Sequence, residues 1–230
     1  MIELHSWSTP NGHKVHLMLE ECGLAYEAHP VDILRGEQHA PAFLSISPNG
    51  RIPAIVDLDG PAGRPMALSE SGAILLYLAE KTGRFLAPDG PQRYAAMQWL
   101  MFQMSGIGPM FGQLYHFRSD AVDRVDYAIE RYTKEARRLY GVLDRRLAES
   151  EYLAGDEYGI ADMATWPWAH GIDRQGHDPA HYPNVVRWFE AIRSRPAAGR
   201  AVKLFRAQRR QQLDEASRNV LFGTGPSTER

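Results

Sequence analysis

Ser47-Pro48-Asn49-Gly50-Arg51-Ile52-Pro53-Ala54-Ile55-Val56-Asp57 joins a turn to a strand, and its reading decides the fold. Pro48-Asn49-Gly50 marks the turn, because proline presets φ and glycine supplies a positive φ at no steric cost. Ala54–Leu58 then reads as one arm of a β-hairpin. Pro65–Leu68, across a loop rich in Gly, Pro and Asp, reads as the other. A proline after an apolar residue at a strand entrance, as in Ile52-Pro53, can close a cis peptide that exposes the preceding backbone N–H and C=O. Such an edge pairs with a short extended peptide as an added strand. An ordinary strand-edge proline accounts for the same residues.

Downstream, Ser69-Glu70-Ser71 opens a helix that runs to about Lys81 and stops at Gly83. The Ser71 hydroxyl and backbone N–H suit a carboxylate, and Glu70 suits an ammonium, so the pair forms a receptor for a free amino-acid head group. A plain helix start, with an acid favoured by the helix dipole, is the alternative. Upstream, Ile2–His5 is a short strand, followed by the breakers Ser8-Thr9-Pro10-Asn11-Gly12. Val15, Met18, Leu19 and Cys22 then recur on one helical face, ended by Gly23. Tyr26–Ile33 is a second strand and Phe43–Ile46 a short helical turn. Residues 1–87 thus read β-α-β-α-β-β-α, a βαβ half joined to a ββα half, which is a thioredoxin-like domain.

The segment Thr9–Lys14 lies between the first strand and the first helix. A helix N-terminus offers unpaired N–H groups and partial positive charge, and it favours the thiolate form of a thiol held there. The Thr9 hydroxyl and the Asn11 amide are the available donors. Thr, Ser and Asn are also preferred caps, so plain N-capping explains the same composition.

Past Pro88-Asp89-Gly90-Pro91, a linker over 88–91, no strand pattern recurs. Residues 92–212 read as an all-helical domain and 213–230 as a tail whose last dozen residues are frayed. Tyr94–Met104 is helical, and Gly106-Ile107-Gly108-Pro109 marks a kink or break. Ile129, Tyr132, Ala136, Leu139, Leu143 and Leu147 keep one stripe through Val125–Leu147. Further helices start at Ile160 and at Val185. The fold class is therefore an α/β thioredoxin-like N-terminal domain plus an all-α C-terminal helical bundle.

With 44% hydrophobic and 23% charged residues, the 230-residue chain has material for two real cores. A net charge of −2, with both signs dispersed, argues against a nucleic-acid partner. The basic run Arg206, Arg209 and Arg210 reads as a solvated helix face. The single cysteine, Cys22, rules out an internal disulfide and fits a reducing compartment. It shares the apolar stripe and reads as a buried, inert thiol. The N-terminus lacks a signal pattern, and the apolar run Ala73–Ala79 is too short to span a bilayer. A cytoplasmic protein with no membrane partner is expected. His13 and His16 have no third ligand at a useful spacing, so no metal site is expected.

The thiol site, peptide-backbone site and amino-acid head site occur in the order that γ-glutamyl-cysteinyl-glycine requires. On these residues the chain resembles the glutathione S-transferase superfamily over nearly its whole length. The resemblance implies that Pro53, as the family's cis-proline, and Glu70-Ser71 hold glutathione. Gln38, Arg51 and the Ile52 backbone are implied to contact its glycyl or backbone end. Gly159-Ile160-Ala161-Asp162 is similar to the family's helix-capping segment. Gly159 stands where the family has Ser or Thr, so more of the capping falls to Asp162. Thr9–Lys14, residues 47–57, Glu70–Leu75 and the run from Trp99-Leu100 to Gly108-Pro109-Met110 resemble the bacterial Nu-class and Ure2-like branch. That branch implies a homodimer using glutathione, as GSH or GSSG, as co-substrate to reduce small disulfides. Thr9 and Asn11 are its implied catalytic residues, and Arg131 the implied contact to a second glutathione. Conjugation of glutathione to an electrophile remains an alternative. So does a non-catalytic glutathione-binding regulator, although the Asn-rich prion segment of Ure2-type regulators does not occur in this sequence.

Overall fold

Strand β1 (Ile2–Ser6) alternates buried and half-buried residues, as a strand with one face on a core must. In the computed structural model, which describes residues 1–208 and 214–223, it is central to a four-stranded sheet of order β2-β1-β3-β4. β2 (Tyr26–Pro30) runs parallel to β1, from Ile2↔Tyr26 to Ser6↔Pro30. β3 (Ala54–Asp57) is antiparallel to β1, and β4 (Met66–Ser69) closes a hairpin with it. Helix α1 (Pro10–Cys22) is the crossover between the parallel strands, and α2 (Pro41–Leu44) is the expected short turn. Helix α3 (Ser71–Thr82) follows β4.

Strand ends differ from expectation: β1 runs one residue further, to Ser6, and β3 stops one residue sooner, at Asp57. β2 stops at Pro30, not Ile33, because Asp32 starts a turn: its Oδ1 accepts from Leu34 N and its own N–H donates to Glu37 Oε2. β4 sits one residue later than expected, since the register pairs Ala54 with Ser69.

The described residues from Arg200 onward group with residues 1–74, and residues 75–199 form a second compact unit. In the first unit, Ala201 O lies 3.3 Å from His16 Nδ1, and Phe205 stacks on Trp7. α9 (Pro196–Ala201) leads into this segment, and α10 (Glu215–Phe222) follows, capped by Asp214, whose side chain accepts from Ser217 N at 2.8 Å. That cap makes residues 219–222 helical, not frayed. Gly223 closes α10 in a left-handed conformation, and the rest of the frayed end expected there lies outside the described residues, as do Arg209 and Arg210.

The second unit is helical: α4 (Gly90–Phe102), α5 (Gly108–Tyr115), α6 (Asp126–Glu149), α7 (Ile160–Ala169) and α8 (Pro183–Arg193). The kink or break expected at 106–109 takes the form of a π turn over Gln103–Ile107, with helical backbone angles kept into Gly108. A π turn absorbs an extra residue without ending the helix. α6 buries the lower part of the expected stripe, Ala136, Leu139, Leu143 and Leu147, together with Tyr140. At the start of α7, Asp162 is fully buried. Its Oδ2 accepts from Gly159 N at 3.0 Å, and its Oδ1 from Leu153 N at 2.9 Å and Trp188 Nε1 at 2.8 Å. A Cβ on Gly159 would come within 2.9 Å of Phe85 O. That close approach explains why glycine, rather than Ser or Thr, precedes this helix. Among the described residues, no helix is long and apolar enough to cross a membrane.

Candidate functional site

The strand register brings three of the expected segments to one end of the sheet. His5 pairs with Ala54, and Ala54 with Ser69. The end of β1, the start of β3 and the end of β4 are therefore neighbours. From them hang, respectively, Thr9 and α1, the Arg51-Ile52-Pro53 entrance, and Glu70-Ser71 with α3.

Thr9 caps α1: its Oγ1 accepts from Gly12 N at 3.2 Å, and Pro10 occupies the first turn. A hydroxyl accepts and donates at once, so the cap leaves the Thr9 proton available to an acceptor beyond the helix end. Asn11 is half-buried in the same turn. Gly12 is required here, since a Cβ would lie 2.1 Å from Trp7 O. Only the missing side chain lets the helix start so close to the end of β1.

The Ile52–Pro53 peptide is cis, with Pro53 buried, Ile52 half-buried and Arg51 exposed. Ser47 Oγ donates to Arg51 O at 2.9 Å, and Asn49 Nδ2 donates to Glu70 Oε1 at 3.4 Å, so this loop is tied to the start of α3. A Cβ on Gly50 would come within 3.3 Å of Gln38 O, which places the 37–39 turn beside the same loop. Gln38 is 6% exposed, and its Oε1 has no hydrogen-bond partner among the described residues. A buried amide oxygen left unpaired costs about 1–3 kcal/mol, a cost that an N–H of a bound ligand removes. Glu70 adopts φ +68, a left-handed conformation that non-glycine residues seldom take, and so stands out at the mouth of the helix. Ser71 is 7% exposed.

One residue at this end carried no role in the sequence reading. Lys14, four before Met18, lies on the apolar face of α1 at 1% exposure, and its Nζ donates to Ser71 Oγ at 3.4 Å. Burial pushes its pKa down to about 7, against the pull of the Glu70 carboxylate. The signal that could have found it is a charge set on an apolar stripe. Its neighbour His16 is a core residue. Its ring nitrogens lie near Ser6 Oγ (2.9 Å) and Ala201 O (3.3 Å), and burial pushes its pKa down to about 3.

Arg131 belongs to the helical unit. It is exposed on α6 and lines a cavity of about 730 Å³ with Met110, Tyr127, Tyr132 and Arg138. Lys134 and Arg138 there are paired with Glu130 and Glu135, and the charge of Arg131 also acts on Glu135. Cys22 is the last residue of α1 and is half-buried, not buried as expected, because it lies where the stripe meets the helix end. Among the described residues, no group of three or more His, Cys, Asp or Glu side chains is gathered as a metal would need.

Family models match twice: glutathione S-transferase, N-terminal domain, over residues 9–81, and glutathione S-transferase, C-terminal domain, over residues 107–196. The disulfide-bond oxidoreductase YfcG of Escherichia coli (strain K12) is 54% identical over 205 residues, covering 88% of this chain and 94% of that protein. The chain belongs to the glutathione S-transferase family. Among solved structures, this transferase resembles one from Burkholderia graminis that holds two glutathione molecules per subunit. The TM-score is 0.85 at 47% identity, over 88% of this chain and 87% of that one. A Pseudomonas putida transferase with one glutathione disulfide bound per subunit gives a TM-score of 0.84 at 46% identity, over 88% and 91%.

Proposed function

We propose that this transferase is a glutathione-dependent disulfide-bond oxidoreductase of the Nu-class, Ure2-like branch, in which glutathione rather than a protein cysteine supplies the reactive sulfur. The observation that carries the reading lies within α1. Thr9 caps its first turn and Cys22 is its last residue, roughly 20 Å away at the helical rise per residue. Cys22 also sits at the helix end whose partial charge disfavours a thiolate.

When bound, glutathione supplies the sulfur chemistry: two thiols become one disulfide while the substrate disulfide is cleaved to two thiols. The chain's own residues bind, orient and ionise. Thr9 donates its free hydroxyl proton to the thiolate, Asn11 offers a second donor, and the N-terminus of α1 favours the negative charge. The Ile52 backbone beside Pro53 pairs with the cysteinyl backbone. Gln38 Oε1 accepts a peptide N–H, and Arg51 faces the glycyl end. Ser71 takes the γ-glutamyl carboxylate and Glu70 its ammonium. Arg131 takes the glycyl carboxylate of a second glutathione. The name of the Escherichia coli relative and the glutathione and glutathione disulfide in the bacterial structures support this reading. With it come a cytoplasmic setting, in keeping with a lone cysteine, and the family's homodimer.

The test is glutathione-dependent reduction of 2-hydroxyethyl disulfide by the purified protein. Turnover should persist in Cys22→Ser and fall by about ten-fold or more in Thr9→Val, the loss of one donor to a developing charge. Turnover abolished in a folded Cys22→Ser would make that thiol the nucleophile. Conjugation of a chlorinated aromatic without disulfide reduction would make the enzyme a conjugating transferase.

A further inference from the structure

The buried amide of Gln38 is held at one end only. Its Nε2 donates to His39 Nε2 at 3.2 Å, while its Oε1 has no hydrogen-bond partner among the described residues. An amide nitrogen donates and cannot accept, so the ring nitrogen facing it must accept. In this arrangement the ring is neutral and carries its proton on Nδ1, the nitrogen 3.5 Å from where a Cβ on Gly50 would stand. The two ends of an amide are nearly alike in shape, so whatever pins one end decides what the other presents. Here the imidazole takes the N–H end, and the acceptor is left for another partner. His39 is exposed and so exchanges protons with water. A protonated ring donates from both nitrogens. Its Nε2–H would meet the amide N–H head-on, and turning the amide over relieves the clash, because Oε1 then accepts a charge-assisted hydrogen bond from the ring. The far end of the amide would then offer donors where it had offered an acceptor.

We propose that His39 is a positioning residue: its neutral ring accepts from the Gln38 amide and so keeps Gln38 Oε1 for a peptide N–H of the ligand, whereas its protonation turns the amide over and disfavours that ligand. The inference rests on the reading that Gln38 Oε1 accepts a peptide N–H of glutathione. The charged groups about the ring come from three elements. On its own turn, Glu37 accepts from the Asp32 N–H, and Asp32 pairs with Arg35. The loop that sets Gly50 against the ring carries Arg51, and its Asn49 donates to Glu70. α10, whose Val220 lies 3.5 Å from where a Cβ on Gly36 would stand, carries Glu215 and Arg218. Among the described residues, the ring is the one hydrogen-bond partner of the Gln38 amide. By linkage, a ligand that needs the acceptor end binds the neutral ring more tightly and drives a proton off the protonated one.

The experiment is titration calorimetry with S-methylglutathione, which has no thiol to ionise, at about pH 8 and about pH 5.5, either side of the range in which imidazoles ordinarily take up a proton. Lys14, brought down to about 7 by burial, titrates in the same interval, so the comparison is between proteins rather than between pH values alone. In His39→Gln a carbonyl replaces Nε2 and accepts at every pH. At about pH 8 this variant and the unaltered protein should bind within about two-fold of each other. On going to about pH 5.5, the unaltered protein should lose about ten-fold more affinity than the variant. His39→Lys places a permanent donor beside the amide and should bind about ten-fold more weakly at about pH 8. A ring that acted only as a cation toward a ligand carboxylate predicts the reverse, with acid and lysine both tightening binding. That reversal, or the same pH profile in the unaltered protein and His39→Gln, would overturn the proposal. Nitrogen NMR of the free protein gives a readout without ligand: at about pH 8 the His39 proton should sit on Nδ1, and a proton on Nε2 would equally overturn it. Gln38→Met separates the two levels. If it binds S-methylglutathione as tightly as the unaltered protein, the reading of Gln38 falls and the proposal with it. If it binds several-fold more weakly while His39→Gln keeps the unaltered pH profile, the role of His39 alone falls.

Discussion

Asp162 in the helical unit and the cluster of Gln38, Glu70 and Ser71 in the sheet unit are all polar groups at the mouths of short elements, yet they are finished differently. Asp162 is fully buried, and both of its oxygens are met by donors from the protein: Gly159 N, Leu153 N and Trp188 Nε1. In the sheet unit, Gln38 Oε1 has no hydrogen-bond partner among the described residues, Glu70 is held left-handed, and Ser71 Oγ accepts from Lys14 Nζ. A closed set of hydrogen bonds stabilises and specifies the fold. An open one carries a cost that only a ligand offsets, which is the signature of a site. Substitutions in the two units should therefore separate: stability moves in one, affinity in the other.

The largest effect should come from breaking the closed set. Asp162→Ala strands three buried donors and should lower the unfolding free energy by about 3–5 kcal/mol, read by urea denaturation. A loss below about 1 kcal/mol would mean the set is not what secures α7. Next comes pH. His16 is neutral in the fold, its pKa pushed from 6.5 to about 3, so the unfolded chain binds more protons in between. Its contribution is full above 6.5 and is lost as pH falls toward 3, by up to a few kcal/mol. Asp162 runs the other way. Burial raises its pKa from 3.8 to about 6, so the folded state holds the extra proton, and stability from this group is lost as pH rises through about 6. His16→Gln should thus remove the acid-side loss and leave the opposite slope in place, measured by denaturation from neutral to acid pH.

Much of this contrast was legible in the residues themselves. Pro48-Asn49-Gly50, the Ile52-Pro53 entrance and Glu70-Ser71 are local signals: turn chemistry and caps act within a few residues, so a string suffices to read them. The kink or break expected at Gly106–Pro109 shows the limit. Glycine and proline report that regular α hydrogen bonds are interrupted, but not that a π turn carries the helix on. Lys14 shows in the sequence only as a charge on an apolar stripe, and Gly159 only as a departure from the family's cap. The meaning of Lys14 depends on Ser71, and that of Gly159 on Phe85 O, contacts between segments far apart in the chain that exist only once the elements have packed.

Smaller effects sharpen the open side. Glu70→Gly removes left-handed strain worth about 1 kcal/mol but adds unfolded-chain entropy of similar size. The unfolding midpoint should hardly move. The KM for glutathione should rise about ten-fold through loss of the carboxylate. A variant equally impaired in both would place Glu70 in the closed class.

The smallest and most discriminating case is Gln38→Met, which keeps the length of the side chain and deletes the unpartnered oxygen. If that oxygen is held open for a ligand, its removal should stabilise the free protein by up to about 1 kcal/mol, the desolvation cost recovered. The same change should weaken glutathione several-fold, since the ligand's N–H then enters the site without an acceptor. The two signs are opposed, and no purely structural role for Gln38 gives that result. A structural hydrogen-bonding residue would lose stability on the same change, and a spectator would alter neither quantity. Thermal unfolding with and without glutathione reads both in one experiment, because the ligand-induced rise in Tm should shrink while the unliganded Tm climbs.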